Sequence, residues 1–264
     1  MNIGFIGCGN MAGAMIGGIL GKGIASPADI LASAKFESEL AAAKERFGIR
    51  TTMDNREVAK TSDILVLAVK PDVIGDVIRG ISDAVRSGTT VVSLAPGRPI
   101  AWLEEQFGHP LRLVRTMPNT PALAGEGMTA LCPNEQVGEA ALADVLALFR
   151  SFGEAEIVRE KDIDAVTAIS GSSPAYVFMF IEAMADAAVA EGMTRAQAYR
   201  FAAQATAGSA KMVLETGKHP GELKDMVCSP GGTTIEAVQV LEQEGFRSAV
   251  IDAVRACAQK AREL

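Results

Sequence analysis

The sequence predicts an α/β, doubly wound sheet of parallel strands followed by an all-α helical domain suited to dimerisation. Three observations predict it. Up to about residue 132, short β-rich runs alternate with stretches of helical spacing. The strand candidates read as nearly continuous apolar runs, as parallel strands covered on both faces do. After about residue 160 strand signals vanish and alanine dominates, as in EAMADAAVAEGM and AQAYRFAAQATAGSAKMVL. The expected domains are therefore 1–158 and 159–264.

The elements follow in order. Strands are expected at Ile3–Ile6, Ile30–Ser33, 64–69, 90–94, 111–115 and 128–132. Helices are expected at 10–20, 38–47, 73–85, Ile100–Phe107 and 135–152. Beyond residue 160, Gly192, Gly217 and Gly245 sit where helices should end, and Pro220 where one should begin. Small residues at helical spacing permit close helix packing. The many Ala and Met faces suggest burial against a second copy of the chain.

Composition sets limits. The 264 residues are 48% hydrophobic and 22% charged, a globular balance. Aromatics are only 5%, so the core must come from Ala, Val, Ile, Leu and Met. With 25 Lys and Arg against 32 Asp and Glu, the net charge of −7 argues against nucleic-acid and anionic-membrane partners. Cys8, Cys132, Cys228 and Cys257 form no CxxC pair, and His109 and His219 lie far apart. No metal centre is expected, and a reducing, cytoplasmic location is. Residues 3–20 are uncharged and near the minimum length for a membrane span. They lack a preceding basic residue and contain six glycines, so they read better as strand, turn and helix.

Ile6-Gly7-Cys8-Gly9-Asn10-Met11-Ala12 is a G-x-G-x-x-A turn between the first strand and the first helix. Gly7 permits the tight turn, Gly9 lets a pyrophosphate approach the backbone, and Ala12 lets the helix lie close to the strand. The helix N-terminus then offers free N–H groups to the phosphates. This makes 1–158 a dinucleotide-binding domain. NAD-binding sheets place Asp or Glu at the end of the second strand. Here Ala32-Ser33-Ala34-Lys35 has no acid, and Ser33 and Lys35 suit a 2′-phosphate. NADP(H) is the expected cofactor, with NAD(H) second. The strand exits Ala68-Val69-Lys70-Pro71, Ala95-Pro96-Gly97 and Met117-Pro118-Asn119-Thr120-Pro121 are crevice candidates or simple turns.

In the second half, Ser170-Gly171-Ser172-Ser173-Pro174 begins an apolar helix, with Ser173 as a fitting N-cap. Ser229-Pro230-Gly231-Gly232-Thr233-Thr234 precedes another, with Thr233 and Glu236 in capping-box register. That loop reads equally as a good helix start or as an anion site for a substrate carboxylate. From Asp162 to Gly192 there is no Lys and no His to serve as a general acid. A reductase without a strong acid suits a protonated imine, where hydride attacks carbon and no oxyanion develops. A hydroxy-acid dehydrogenase and a cofactor-binding sensor without turnover are the rival readings.

GFIGCGNMA, LAVKP, RTMPNTPA, ISGSSPAYVF and HPGELKDMVCSPGGTTIEAVQVLE, in that order along the whole chain, resemble the pyrroline-5-carboxylate reductase family. The resemblance implies a Rossmann-type domain, a helical domain that pairs two subunits, and larger rings of dimers. It implies reduction of 1-pyrroline-5-carboxylate to L-proline, with Ile6 to Met11 around the pyrophosphate. By the same resemblance Asn55, Ala68, Val69, Lys70 and Pro71 line the cofactor, and Ala95 and Gly97 the nicotinamide end. Thr233 and Thr234 meet the substrate carboxylate and ring nitrogen, with Ser229 and Gly232 shaping the pocket. Thr234 is the implied orienting or proton-donating side chain, and Glu160 an implied contact to the product nitrogen. Pro96 and Met226 depart from the family pattern, at the nicotinamide and ribose contacts respectively.

Overall fold

A computed structural model describes residues 1–263. The chain divides into two compact units, Met1–Ser172 rejoined by the last turns from Cys257, and Ser173–Ala256.

The first unit holds an eight-stranded sheet. Its strands are β1 (Ile3–Ile6), β2 (Ile30–Ser33), β3 (Arg50–Thr52), β4 (Ile64–Leu67), β5 (Thr90–Ser93), β6 (Arg112–Met117), β7 (Gly127–Pro133) and β8 (Gly153–Ile157). Their order is β3-β2-β1-β4-β5-β6-β7-β8. All neighbours are parallel except β6 and β7. Chain direction across β1 reverses the winding, so β2 and β4 flank it with Ser33 and Leu67 level with Ile6. That places every β1–β5 exit on one edge, where open α/β sheets bind ligands.

The helices of this unit are α1 (Asn10–Gly21), α2 (Glu37–Phe47), α3 (Asn55–Thr61), α4 (Ile74–Ile81), α5 (Ile100–Phe107), α6 (Glu139–Phe149) and α7 (Ile163–Val166). Period-two alternation divides the strands between two cores. Ile3 and Phe5 pack with Met15, Ile16, Ile19, Phe149 and Phe152 on one face. Ile6, Leu65 and Leu67 pack with Ile74, Ile78 and Phe107 on the other. Each such side chain contributes about 1.5–3 kcal/mol on burial.

The second unit contains α8 (Ser173–Ala190), α9 (Arg195–Thr216), α10 (Pro220–Val227), α11 (Thr233–Gln243) and the start of α12 (Phe246–Arg262). Gly192, Gly217 and Gly245 all take positive φ at or just beyond helix ends, as expected. Pro220 opens α10 behind His219, whose Nδ1 accepts from the Gly221 N–H. Only small side chains are fully buried in this unit: Ala185 on α8, and Ala198 and Ala202 on α9. Phe178, Met179, Phe201 and Leu214 are 63–80% exposed. By length and composition the run Glu160–Ala190 is also apolar enough to cross a membrane.

Several expectations need correcting. No element was expected between Phe47 and Ile64, yet β3 and α3 lie there; β8 was also missed. β3 is three residues of Arg-Thr-Thr with no apolar run to announce it. The helix expected over 135–152 spans only Glu139–Phe149, because Gly138 is its N-cap. Ser173 is not an N-cap. The backbone is already helical from Ile163, passes through a π-helical turn at Thr167–Gly171, and continues into α8.

Candidate functional site

The glycine turn is built as its residues require. Gly7 has φ 104°, a left-handed conformation, and a Cβ there would lie 2.5 Å from the Ala68 carbonyl oxygen. Its N–H donates to the Ser33 carbonyl at 2.8 Å, and the Ala68 N–H donates to the Ile6 carbonyl at 2.8 Å. The exits of β1, β2 and β4 are thereby tied together. Gly9 is the N-cap of α1, with no side-chain cap and no acid in the first turn. A Cβ on Gly9 would meet no protein atom within 4 Å. The first-turn N–H groups of α1 therefore open onto free space, a fitting cradle for a pyrophosphate. Asn10 is exposed and Cys8 and Met11 half-buried. Burial, with Glu39 adding to it, pushes the Cys8 thiol up to about 11, so it is a neutral wall of the turn.

Along the same edge, Ala68, Val69 and Pro71 are half-buried, Lys70 is exposed, and Ala95 is buried beside Gly97, which has φ 69°. Lys35 is exposed, its ammonium 5.6 Å from the Phe36 ring centroid. Ser33 differs from expectation. It is fully buried, and its hydroxyl donates to Asn55 Oδ1 at 2.7 Å. It orients Asn55 at the start of α3 and leaves the surface to Lys35.

Glu160 lies in the first unit too. Its Oε1 accepts from the Ile100 N–H at 2.7 Å and from Arg115 at 2.8 Å. The carboxylate caps α5 and neutralises an arginine whose side chain is only 8% exposed. Sequence reasoning missed Arg115. The signal was a second charge, Arg115, set beyond Arg112 between the apolar Leu113-Val114 and Thr116 of the strand.

The late loop belongs to the second unit. Ser229 to Gly232 form a tight turn, the Gly232 N–H donating to the Ser229 carbonyl at 3.0 Å with Gly231 at φ 66°. A Cβ on Gly232 would lie 2.4 Å from Ser229 Oγ. The expected capping box does not form. Gly232, not Thr233, is the N-cap of α11, and no side chain caps it. Glu236 is thus one position too far along to reach back. The N–H groups of Thr233, Thr234 and Ile235 are left for another acceptor. Thr233 is exposed and Thr234 half-buried. Among the described residues no group of His, Cys, Asp and Glu could hold a metal ion.

Residues 160–264 match the family model described as pyrroline-5-carboxylate reductase dimerisation. Residues 2–97 match the model described as NADP oxidoreductase, coenzyme F420-dependent. The chain is 54% identical over 262 residues to the pyrroline-5-carboxylate reductase of Escherichia coli, covering 99% of this chain and 97% of the relative. The solved pyrroline-5-carboxylate reductase of Coxiella burnetii is 38% identical with a TM-score of 0.94, over 99% of this chain and 97% of that one. The Plasmodium falciparum pyrroline carboxylate reductase, solved with NADP bound, is 35% identical with a TM-score of 0.89, over 100% and 97%.

Proposed function

This chain belongs to the pyrroline-5-carboxylate reductase family, and from that premise we propose how its own residues carry the reaction. It is an oxidoreductase that reduces 1-pyrroline-5-carboxylate to L-proline with NAD(P)H. NADP(H) is the cofactor, and NAD(H) the lesser alternative. The observation that carries the assignment of residues is the uncapped N-terminus of α1, with open space over Gly9 and no acid at the end of β2.

Ile6 to Met11 hold the pyrophosphate through the first-turn N–H groups of α1. Lys35 meets the 2′-phosphate, and Asn55, set by Ser33, turns its amide to the ribose. Ala68 to Pro71 line the cofactor, and Ala95 to Gly97 take the nicotinamide end. The bound dinucleotide supplies a hydride to the imine carbon. The substrate carboxylate sits on the N–H groups of Thr233, Thr234 and Ile235 in a pocket shaped by Ser229 and Gly232. The Thr234 hydroxyl accepts from the N–H of the protonated imine and holds the ring in orientation; hydride addition then gives the neutral ring amine, with no further proton required. Because the imine carries its charge before attack, orientation outweighs acid strength.

Residues 1–158 form the cofactor half and 159–264 the substrate and pairing half. The helical half matches a dimerisation model, which supports a homodimer; we place those dimers in a ring in the cytosol. NADPH oxidation, followed by absorbance with pyrroline-5-carboxylate and other cyclic imines, tests the assignment. Thr234→Ala should lower kcat/KM for pyrroline-5-carboxylate by about tenfold or more, with Thr234→Ser recovering part of it. Wild-type turnover in Thr234→Ala removes that residue from the mechanism.

A further inference from the structure

Asn119 is singled out by the bond it does not make. It is the N-cap of the 3-10 turn Thr120–Ala124, where asparagine ordinarily binds the first turn, yet its side chain makes no capping bond. Its Oδ1 instead accepts from the Met128 N–H at 2.9 Å. Its Nδ2 donates to the Ser170 carbonyl at 3.2 Å and reaches Ser170 Oγ at 3.3 Å. One planar amide joins the exit of β6, the start of β7 and the end of the π turn.

The Asn119 amide gives the Ser170 carbonyl a donor that the α-helical pattern cannot supply. A helical carbonyl takes the N–H four residues on, and four residues beyond Ser170 stands Pro174, which has none. The Ser172 N–H is committed to the Thr167 carbonyl at 2.8 Å. Behind the turn, Gly171 lies so close to Met117 that a Cβ would come within 2.5 Å of its methyl. Met117 and Thr167 line one small cavity with Ala95 and Gly97.

We propose that Asn119 is a positioning residue for hydride transfer. By holding the Ser170 carbonyl it fixes the π turn and Met117, which wall the β5 exit where the nicotinamide rests. This deepens the function proposed above and rests on that placement of the nicotinamide.

The test compares Asn119→Ala, Asn119→Asp and the double variant Asn119→Ala/Pro174→Ala with wild type. The readouts are NADPH Kd, KM for pyrroline-5-carboxylate, kcat, the primary isotope effect with 4-deuterated NADPH, and Tm. Asn119→Ala should lose about tenfold or more in kcat, with a larger isotope effect and NADPH Kd within about twofold. Asn119→Asp, which sets an acceptor against the carbonyl, should fall as far. The double variant restores an N–H at position 174 and should regain kcat to within about threefold of wild type. Wild-type kcat and isotope effect in Asn119→Ala overturn the inference. So does a loss that follows Tm alone, or a double variant that regains nothing. A wild-type chain that binds NADPH yet does not oxidise it with pyrroline-5-carboxylate refutes the underlying reading instead.

Discussion

Replacing Gly9 with alanine should weaken NADPH binding while leaving the fold intact. The backbone of Gly9 has φ −74° and ψ −172°, open to any residue, and a Cβ there meets no protein atom within 4 Å. The folding cost is that of a poor N-cap, under about 1 kcal/mol, or a Tm lowered by no more than about 4 °C. The same Cβ projects into the space assigned to the pyrophosphate. An N–H bond to a charged group contributes about 1.5–3 kcal/mol, so losing one raises Kd by roughly ten- to a hundredfold. Gly7→Ala is the contrast. It forces alanine into φ 104° with its Cβ 2.5 Å from the Ala68 oxygen, and costs more than about 1–2 kcal/mol of stability. Kd comes from fluorescence titration with NADPH and Tm from thermal melts. An unchanged Kd for Gly9→Ala would refute the placement of the pyrophosphate, and a collapsed Tm would refute the claim of open space.

Lys35→Ala should reduce kcat/KM for NADPH by about fivefold, the worth of an exposed ion pair, and leave NADH untouched; equal losses with both cofactors would exclude a 2′-phosphate contact. Glu160→Gln keeps an acceptor for the Ile100 N–H but strands the Arg115 charge, costing about 1–3 kcal/mol after allowance for the exposed carboxylate. A melt should show that loss with KM for pyrroline-5-carboxylate unchanged; the reverse pattern would hand the carboxylate to the substrate nitrogen. Cys8, raised to about 11 by burial and then by Glu39, stays protonated below that pH. At pH 8 it should therefore be alkylated by iodoacetamide roughly two orders of magnitude more slowly than an unfolded thiol. Peptide mass spectrometry reads the rate, and parity with the unfolded chain would contradict it.

What could be read from the sequence was what neighbours in sequence decide. β1, β2 and the glycine turn carry their apolar alternation and turn residues in a few consecutive positions, and they stand where expected. So do the helix ends at Gly192, Gly217 and Gly245. What escaped depends on partners far along the chain. β3 exists because β2 offers it an edge, and Arg115 is tolerated because Glu160, 45 residues on, meets it. The capping box failed by one residue: the turn closed by Ser229 and Gly232 fixes where α11 begins, and local register does not reveal that. Ser33 was placed in the correct strand, but its burial against Asn55 was not legible, since that follows from a partner in α3 rather than from its own neighbourhood.

The three buried alanines of the helical unit have a thermodynamic consequence. A segment with so little fully buried interior gains little on intramolecular terms alone, because large side chains supply most of the burial energy and many of them stand exposed here. Part of its stability is thus bimolecular and obeys mass action. The melting midpoint should climb with protomer concentration, and dilution alone should act as a denaturant.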